Sequence, residues 1–320
     1  MKVLNWAVGT DDFAELIQFK HPYIDKTLWI KELFEDGSKV ALFPRPRRFG
    51  KTLNMSMLKY FLDVQENYGH LFGGLAVTKY PEIMAHQGKY PVIFLSLKEI
   101  KSETMNTAQE KFAKKMHELF SDYRYLRETL NPDEQQDFDR ILHKTATLSD
   151  LGFCVQQLSK WLEKHHGQKV WILIDEYDTP IQEAWLRGYY DEMISFMRVF
   201  LGAALKGNTS LYKGILTGIL RVSKEGMFSD LNNLTVYSML SKAYGQYFGF
   251  TEVEVDDICK AAELTDQREA VRNWYNGYRF GELDIYNPLT SEFFLHRKSK
   301  NLFNINMLVS FRYNKFPTLV

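Results

Sequence analysis

The run Val170-Trp171-Ile172-Leu173-Ile174 does most to restrict what this chain can become. Five apolar residues with no polar alternate leave a strand without a face for water, so it must be covered on both sides. Such strands belong in parallel sheets, whose neighbours are joined by long crossovers. Three further runs meet that demand, Lys39–Phe43, Tyr90–Leu97 and Leu211–Leu220, with long helix-patterned segments between the four. The alternation predicts an α/β fold, a mostly parallel sheet flanked by helices. Between the second and third runs, Glu103–His166 is polar with a helical period and breaks at Asn131-Pro132. It reads as two or three inserted helices.

The length allows one large domain or two smaller ones, with ample sequence for a core. Forty basic residues balance 40 acidic ones, so net charge gives no support for a nucleic-acid partner. The short basic clusters Arg45–Lys51 and His296–Lys300 fit solvated faces. Cys154 and Cys259 are the two cysteines and lie apart, which excludes a disulfide framework or a cysteine zinc site and suits a reducing compartment. The histidines lack ligand spacing, so no dedicated transition-metal site is expected. No signal-peptide build and no bilayer-length apolar stretch occurs, so the expected location is cytoplasmic, without a membrane partner.

Chemistry collects where the apolar runs end. The first continues as Pro44-Arg45-Pro46-Arg47-Arg48-Phe49-Gly50-Lys51-Thr52 and opens a helix-like stretch from Leu53 to Asp63. A strand turning through Gly-Lys-Thr into a helix is the layout of a phosphate-binding loop. Backbone N–H groups cradle phosphates there, the Lys reaches the β/γ-phosphates and the Thr hydroxyl holds Mg²⁺. Arg45 stands where that pattern has its first Gly, and Pro44 and Pro46 hold the loop extended. The forks of Arg45, Arg47 and Arg48 suit either bidentate phosphate contact or a solvated basic loop.

The Val170 run ends in Asp175-Glu176-Tyr177-Asp178. An Asp at a strand's C-terminal end can order a Mg²⁺ shell and the Glu after it can polarise water; the alternative is a strand leaving the core into a charged loop. The Leu211 run ends in Thr217-Gly218-Ile219-Leu220-Arg221. Thr217 is a sensor of the γ-phosphate or a turn cap, and Arg221 a source of positive charge for the transition state or a surface residue. Asn314-Lys315-Phe316-Pro317 lacks the Asp of a guanine-reading element, which favours adenine nucleotide.

Beyond Phe248 the character changes. Thr251-Glu252-Val253-Glu254 is a capping-box signature for a helix reaching about Arg272, with a break near Leu264-Thr265. Asn276-Gly277 between aromatics marks an expected hairpin turn. The organisation expected is a nucleotide-binding domain over residues 1–247, a small helical and hairpin lid or accessory subdomain over 248–300, and an unassigned tail over 301–320.

Together these strings resemble the bacterial AAA-ATPase-like family. The resemblance rests on Tyr23-Ile24-Asp25-Lys26-Thr27, the Arg45–Leu58 string, Asp175–Asp178, Thr217–Arg221, Phe228–Asn233, Phe248–Thr251 and Trp274–Tyr278. Arg at the first Gly position is the norm in that family. The resemblance implies a P-loop NTPase-type fold that binds ATP with Mg²⁺. It implies Lys51 and Thr52 on phosphate and Mg²⁺ and Asp175 and Glu176 as the acid pair. With the residue reading above, the expected site is Arg45, Arg48, Gly50, Lys51, Thr52 and Leu53 at the nucleotide, Thr52 with Asp175 at the metal, Glu176 and Arg221 as catalytic residues and Thr217 as the sensor. Many relatives carry a C-terminal nuclease-like domain of the PD-(D/E)xK type. No strand pattern with Asp and Glu-x-Lys follows Asn287-Pro288, so no autonomous nuclease activity is expected. Hydrolysis serving as a conformational switch, with self-association or a partner protein, is the reading; an ATP-binding module with little turnover and the ATPase part of a nucleic-acid-processing nuclease system are the alternatives.

Overall fold

Alternate residues of the central strands enter different cores. In the computed structural model, which describes residues 9–220, 233–261 and 265–288, Val40 and Leu42 face one apolar cluster while Ala41 and Phe43 face another. Val170, Ile172 and Ile174 divide from Trp171 and Leu173 in the same way. A strand buried on both faces must read as an unbroken apolar run, and these do.

Helices α1 (Phe13–Gln18) and α2 (Leu28–Glu35) precede strand β1 (Val40–Pro44) and helix α3 (Lys51–Leu62). The short α4 (Pro81–Met84) leads to β2 (Val92–Ser96). The inserted helices follow as α5 (Met105–Asp122), α6 (Pro132–Leu142) and α7 (Leu148–His166). Each begins at a reciprocal cap, Thr104 with Thr107, Asn131 with Glu134 and Thr147 with Asp150, and Pro132 sits in the first turn of α6. The Asn131-Pro132 break is therefore a helix start, as its residue types require. Then come β3 (Val170–Asp175), α8 (Thr179–Arg187), α9 (Tyr190–Leu205), β4 (Leu211–Gly218) and β5 (Leu234–Val236).

Strand order is β2-β3-β4-β1-β5 with every pairing parallel. The predicted α/β class holds. Strand β4 lies between the loop strand β1 and the acid strand β3, so Phe43 pairs with Thr217, and Ser96 with Asp175, at one edge of the sheet. Strand β5, three residues at the edge, is too short to stand out as an apolar run.

A second sheet, β6-β8-β7, is antiparallel: β6 (Phe250–Thr251), β7 (Asn276–Phe280) and β8 (Leu283–Tyr286), with α10 (Glu252–Ala261) and α11 (Arg268–Tyr275) between β6 and β7. The Thr251 cap forms, since Glu254 Oε2 accepts from the Thr251 N–H and Thr251 Oγ1 from the Glu254 N–H. The expected turn at Asn276-Gly277 does not. Helix α11 runs up to Tyr275, so Asn276 and Gly277 already belong to β7. The hairpin turns instead at Gly281-Glu282, where Gly281 takes a φ of 58°, the left-handed geometry that two-residue hairpin loops need. Among the described residues no helix is long and apolar enough to cross a membrane, and no group of three or more His, Cys, Asp or Glu could hold a metal.

Candidate functional site

Lys51, Thr52, Asp175, Glu176 and Thr217 lie at the C-terminal edge of the five-stranded sheet, where open α/β sheets place their ligands. After β1 the chain passes through Arg47 and Arg48, both exposed, before turning into α3. Arg48 (φ 69°) and Gly50 (φ 75°) take left-handed backbone, and a Cβ on Gly50 would meet nothing within 4 Å. No side chain caps α3 and its first turn holds no acid. The α3 N-terminus thus presents N–H groups and the positive end of the helix dipole over open space.

Lys51, the first residue of α3, is 6% exposed. Its Nζ donates to the carbonyl oxygens of Arg45 (3.0 Å) and Pro46 (2.9 Å). Burial pushes its pKa down; Asp175, Glu176 and Asp178 oppose that shift. An anion brought to the loop would favour the charged form further.

The acid side is a bonded set. Thr52 Oγ1 donates to Asp175 Oδ2 at 2.7 Å, and Thr217 Oγ1 donates to Asp175 Oδ1. Asp175 and Thr217 are fully buried. One carboxylate thus joins α3, β3 and β4. A carboxylate and a hydroxyl side by side are hard oxygen donors, few in number, which suits an Mg²⁺ that keeps several of its own waters. With the open cradle at Gly50, the donor set fits a magnesium-bound phosphate. Thr52, Asp175, Gly50 and Lys51 would hold it.

Glu176 carries a φ of 52° and its Oε2 accepts from Thr179 Oγ1 at 3.1 Å. Left-handed backbone at a residue other than Gly costs roughly 1–3 kcal/mol and persists where the surroundings over-determine it. Here the next residues impose it. Tyr177 donates its N–H to Thr217 O and its hydroxyl to Leu220 O. Asp178 Oδ2 accepts from the N–H groups of Ile219 (3.0 Å) and Leu220 (2.7 Å). Gly218 has no room for a side chain, because a Cβ there would lie 2.6 Å from Asp178 Oδ1 and 2.7 Å from the Tyr177 ring. Burial pushes the Asp178 pKa up, against the backbone donors that lower it. Sequence reading gave Asp178 no role of its own. Its signal was a third acid just past the acid pair, but its targets on β4 are visible only in three dimensions.

Arg45 is placed differently from the phosphate-facing arginine expected. It is 1% exposed, and its guanidinium lies 4.9 Å from the Phe248 ring centroid and 5.2 Å from that of Phe280. Nη1 donates to Pro44 O and to Tyr237 O at 2.6 Å, while Nε and Nη2 are buried without partners. Burial lowers its pKa to about 10. Phe49 leaves the loop in the same direction and packs edge-on against Tyr278 (4.8 Å) and beside Phe280 (5.4 Å). Leu53 is half-buried in the first turn of α3. Arg221 lies outside the described residues.

A protein-family profile described as "Predicted AAA-ATPase" (AAA-ATPase-like) matches residues 7–228. An uncharacterized protein in the vnfD 5′ region of Azotobacter chroococcum mcd 1 is 29% identical over 284 residues, covering 88% of this chain and 50% of that protein. The chain spans about half the length of this curated relative.

Proposed function

The chain belongs to the AAA-ATPase-like family, and from that premise we propose that it is a Mg²⁺-dependent ATP hydrolase whose turnover switches conformation. The observation that carries the reading is the convergence of the Thr52 and Thr217 hydroxyls on Asp175 beside the uncapped α3 N-terminus and Lys51. Magnesium-bound ATP supplies a polarised γ-phosphoryl group and an in-line leaving oxygen. The chain's part is positioning and charge. The N–H groups of the first α3 turn bind phosphate oxygens and the Lys51 ammonium neutralises them. Asp175, held by two hydroxyl donors, orients the metal shell together with Thr52. Glu176, held by Thr179 at the sheet edge, accepts a proton from the attacking water. Thr217 ties the Asp175 carboxylate to the end of β4 and acts as the sensor. Arg48 and Leu53 complete the nucleotide side; Arg45 braces the loop from behind.

The test is phosphate release measured with Mg·ATP affinity on wild type and Glu176→Gln. The expected outcome is unchanged affinity with turnover lowered by about 10²–10⁴-fold. A wild type that binds Mg·ATP without turnover would instead establish an ATP-binding module, the reading favoured by Lys51 bonding its own loop. A wild type with no affinity for Mg·ATP would remove the proposal.

A further inference from the structure

Three acids stand within four residues at the exit of β3, and their oxygens are disposed differently. Asp175 is fully buried, and both of its oxygens accept from threonine hydroxyls, those of Thr52 and Thr217. Asp178 is fully buried too. Its Oδ2 takes Gln182 Nε2 (2.5 Å) as well as the two β4 amides. Its Oδ1 is sealed from solvent without a partner, 2.6 Å from where a Cβ on Gly218 would stand. Glu176 is half-buried, and so is the one of the three that water reaches.

Among the described residues, the hydrogen bond that reaches the Glu176 carboxylate comes from Thr179, whose Oγ1 donates to Oε2 at 3.1 Å; Oε1 receives no donor. The Thr179 N–H also donates to Glu176 O (3.1 Å), so one residue grips the acid by main chain and side chain. Thr179 is buried in the first turn of α8. That helix does not depend on the hydroxyl. No side chain caps it, Pro180 sits in its first turn, and Ile181 and Ala184 anchor it in the core. The last torsion of a glutamate is broad, so an unheld carboxylate presents either oxygen in turn. A donor fixed on Oε2 removes that freedom and leaves Oε1 as an acceptor.

From this we infer that Thr179 is the positioning residue of the hydrolytic step: its hydroxyl holds Oε2 of Glu176 and leaves Oε1 as the oxygen that takes the proton of the attacking water. The water oxygen bonds to the γ-phosphorus, the bond to the leaving β-phosphate oxygen breaks with its electron pair on that oxygen, and the proton passes to Oε1. The inference rests on the hydrolase reading proposed above and adds to it a residue that acts through Glu176 and touches no reacting atom.

Steady-state phosphate release and Mg·ATP titration test it on four variants. Thr179→Val keeps the N–H and the branched shape but loses the hydroxyl; Thr179→Ser restores the hydroxyl. The other two are Glu176→Gln and its combination with Thr179→Val. In Thr179→Val we expect kcat to fall about 10- to 100-fold. Its Mg·ATP affinity should stay within about twofold of wild type, which also shows that the variant is folded. Thr179→Ser should return kcat to within about threefold of wild type. With Glu176→Gln already in place, adding Thr179→Val should lower turnover no further, because the hydroxyl acts through that carboxylate. Wild-type kcat in Thr179→Val beside an impaired Glu176→Gln would overturn this inference and leave the hydrolase reading standing. So would a loss that Ser does not rescue, one matched by an equal loss of Mg·ATP affinity, or one that persists in full on the Glu176→Gln background. A wild type without turnover, or a Glu176→Gln protein with full turnover, would overturn the hydrolytic role of Glu176 and this inference with it.

Discussion

The two sides of the loop between β1 and α3 are built on opposite plans. On the acid side, polar groups at the C-terminal edge of one sheet satisfy one another: Thr52 and Thr217 on Asp175, and Asp178 on the β4 exit. On the basic side, Arg45 and Phe49 leave the loop and press against aromatic rings of the small sheet and its approach. Hydrogen bonds between neighbouring parallel strands fix geometry within the sheet. Packing against a separate three-stranded unit makes the loop's shape depend on where that unit sits. The acid side is thus held by the five-stranded sheet, and the basic side packs on the small antiparallel sheet. An Arg in place of a loop Gly looks like damage when the loop is considered alone; here it is a buried contact between the loop and the rings of Phe248 and Phe280.

The comparison can be broken in order of expected effect. The largest is on the shared element: Lys51→Ala should weaken Mg·ATP binding on the order of 100-fold by titration, because a charge-assisted contact is lost from a buried site. Equal affinity would show that the loop holds no phosphate. Next, Arg45→Ala should lower unfolding stability by roughly 2 kcal/mol or more, through a cavity and the lost aromatic contacts. Arg45→Met should be neutral or stabilising, because it fills the space and removes a buried charge whose Nε and Nη2 have no partner. Denaturant melts that show Met as harmful as Ala would mean the charge itself is needed.

Asp178 gives a pH signature on the acid side. Its folded pKa is raised by burial from the ordinary 3.8, so on raising the pH the unfolded chain ionises first. Wild type therefore loses stability relative to Asp178→Asn as pH climbs from about 3.8 through the folded pKa, and the difference is constant above it. Thermal melts should coincide at about pH 3 and separate at pH 7 in favour of Asn. The reverse order would show that the ionised carboxylate is worth more to the two β4 amides than its burial costs. The smallest effect belongs to exposed Arg48. Arg48→Gly should change stability by less than about 1 kcal/mol, in the favourable direction, because Gly relaxes the left-handed backbone. A drop in nucleotide affinity in that variant would place the Arg48 side chain on phosphate.

The sequence made the four long strands and the inserted helices legible because their signals are local. Apolar runs mark doubly buried strands, and caps such as Asn131 with Glu134 mark helix starts. Asp175 ends β3 and Lys51 and Thr52 open the helix after β1, positions that the parallel pairing brings to one edge of the sheet. Three features were not legible. Strand β5 owes its existence to the edge of β1 and not to three residues of its own. The Asn276-Gly277 turn signal was overridden by a helix that runs up to it. Arg45 could not be aimed from sequence, since its direction is set by Phe248 and Phe280, far along the chain. Asp178 is a related case: the residue was in view, but its partners were not.

The main chain of Leu220 is held at both ends, its N–H by Asp178 and its carbonyl oxygen by the Tyr177 hydroxyl. Both anchors lie directly after Glu176 on the β3 exit. The backbone leaving β4 therefore starts from a post fixed to the acid loop, so a twist of the loop about Glu176 has to turn that post as well.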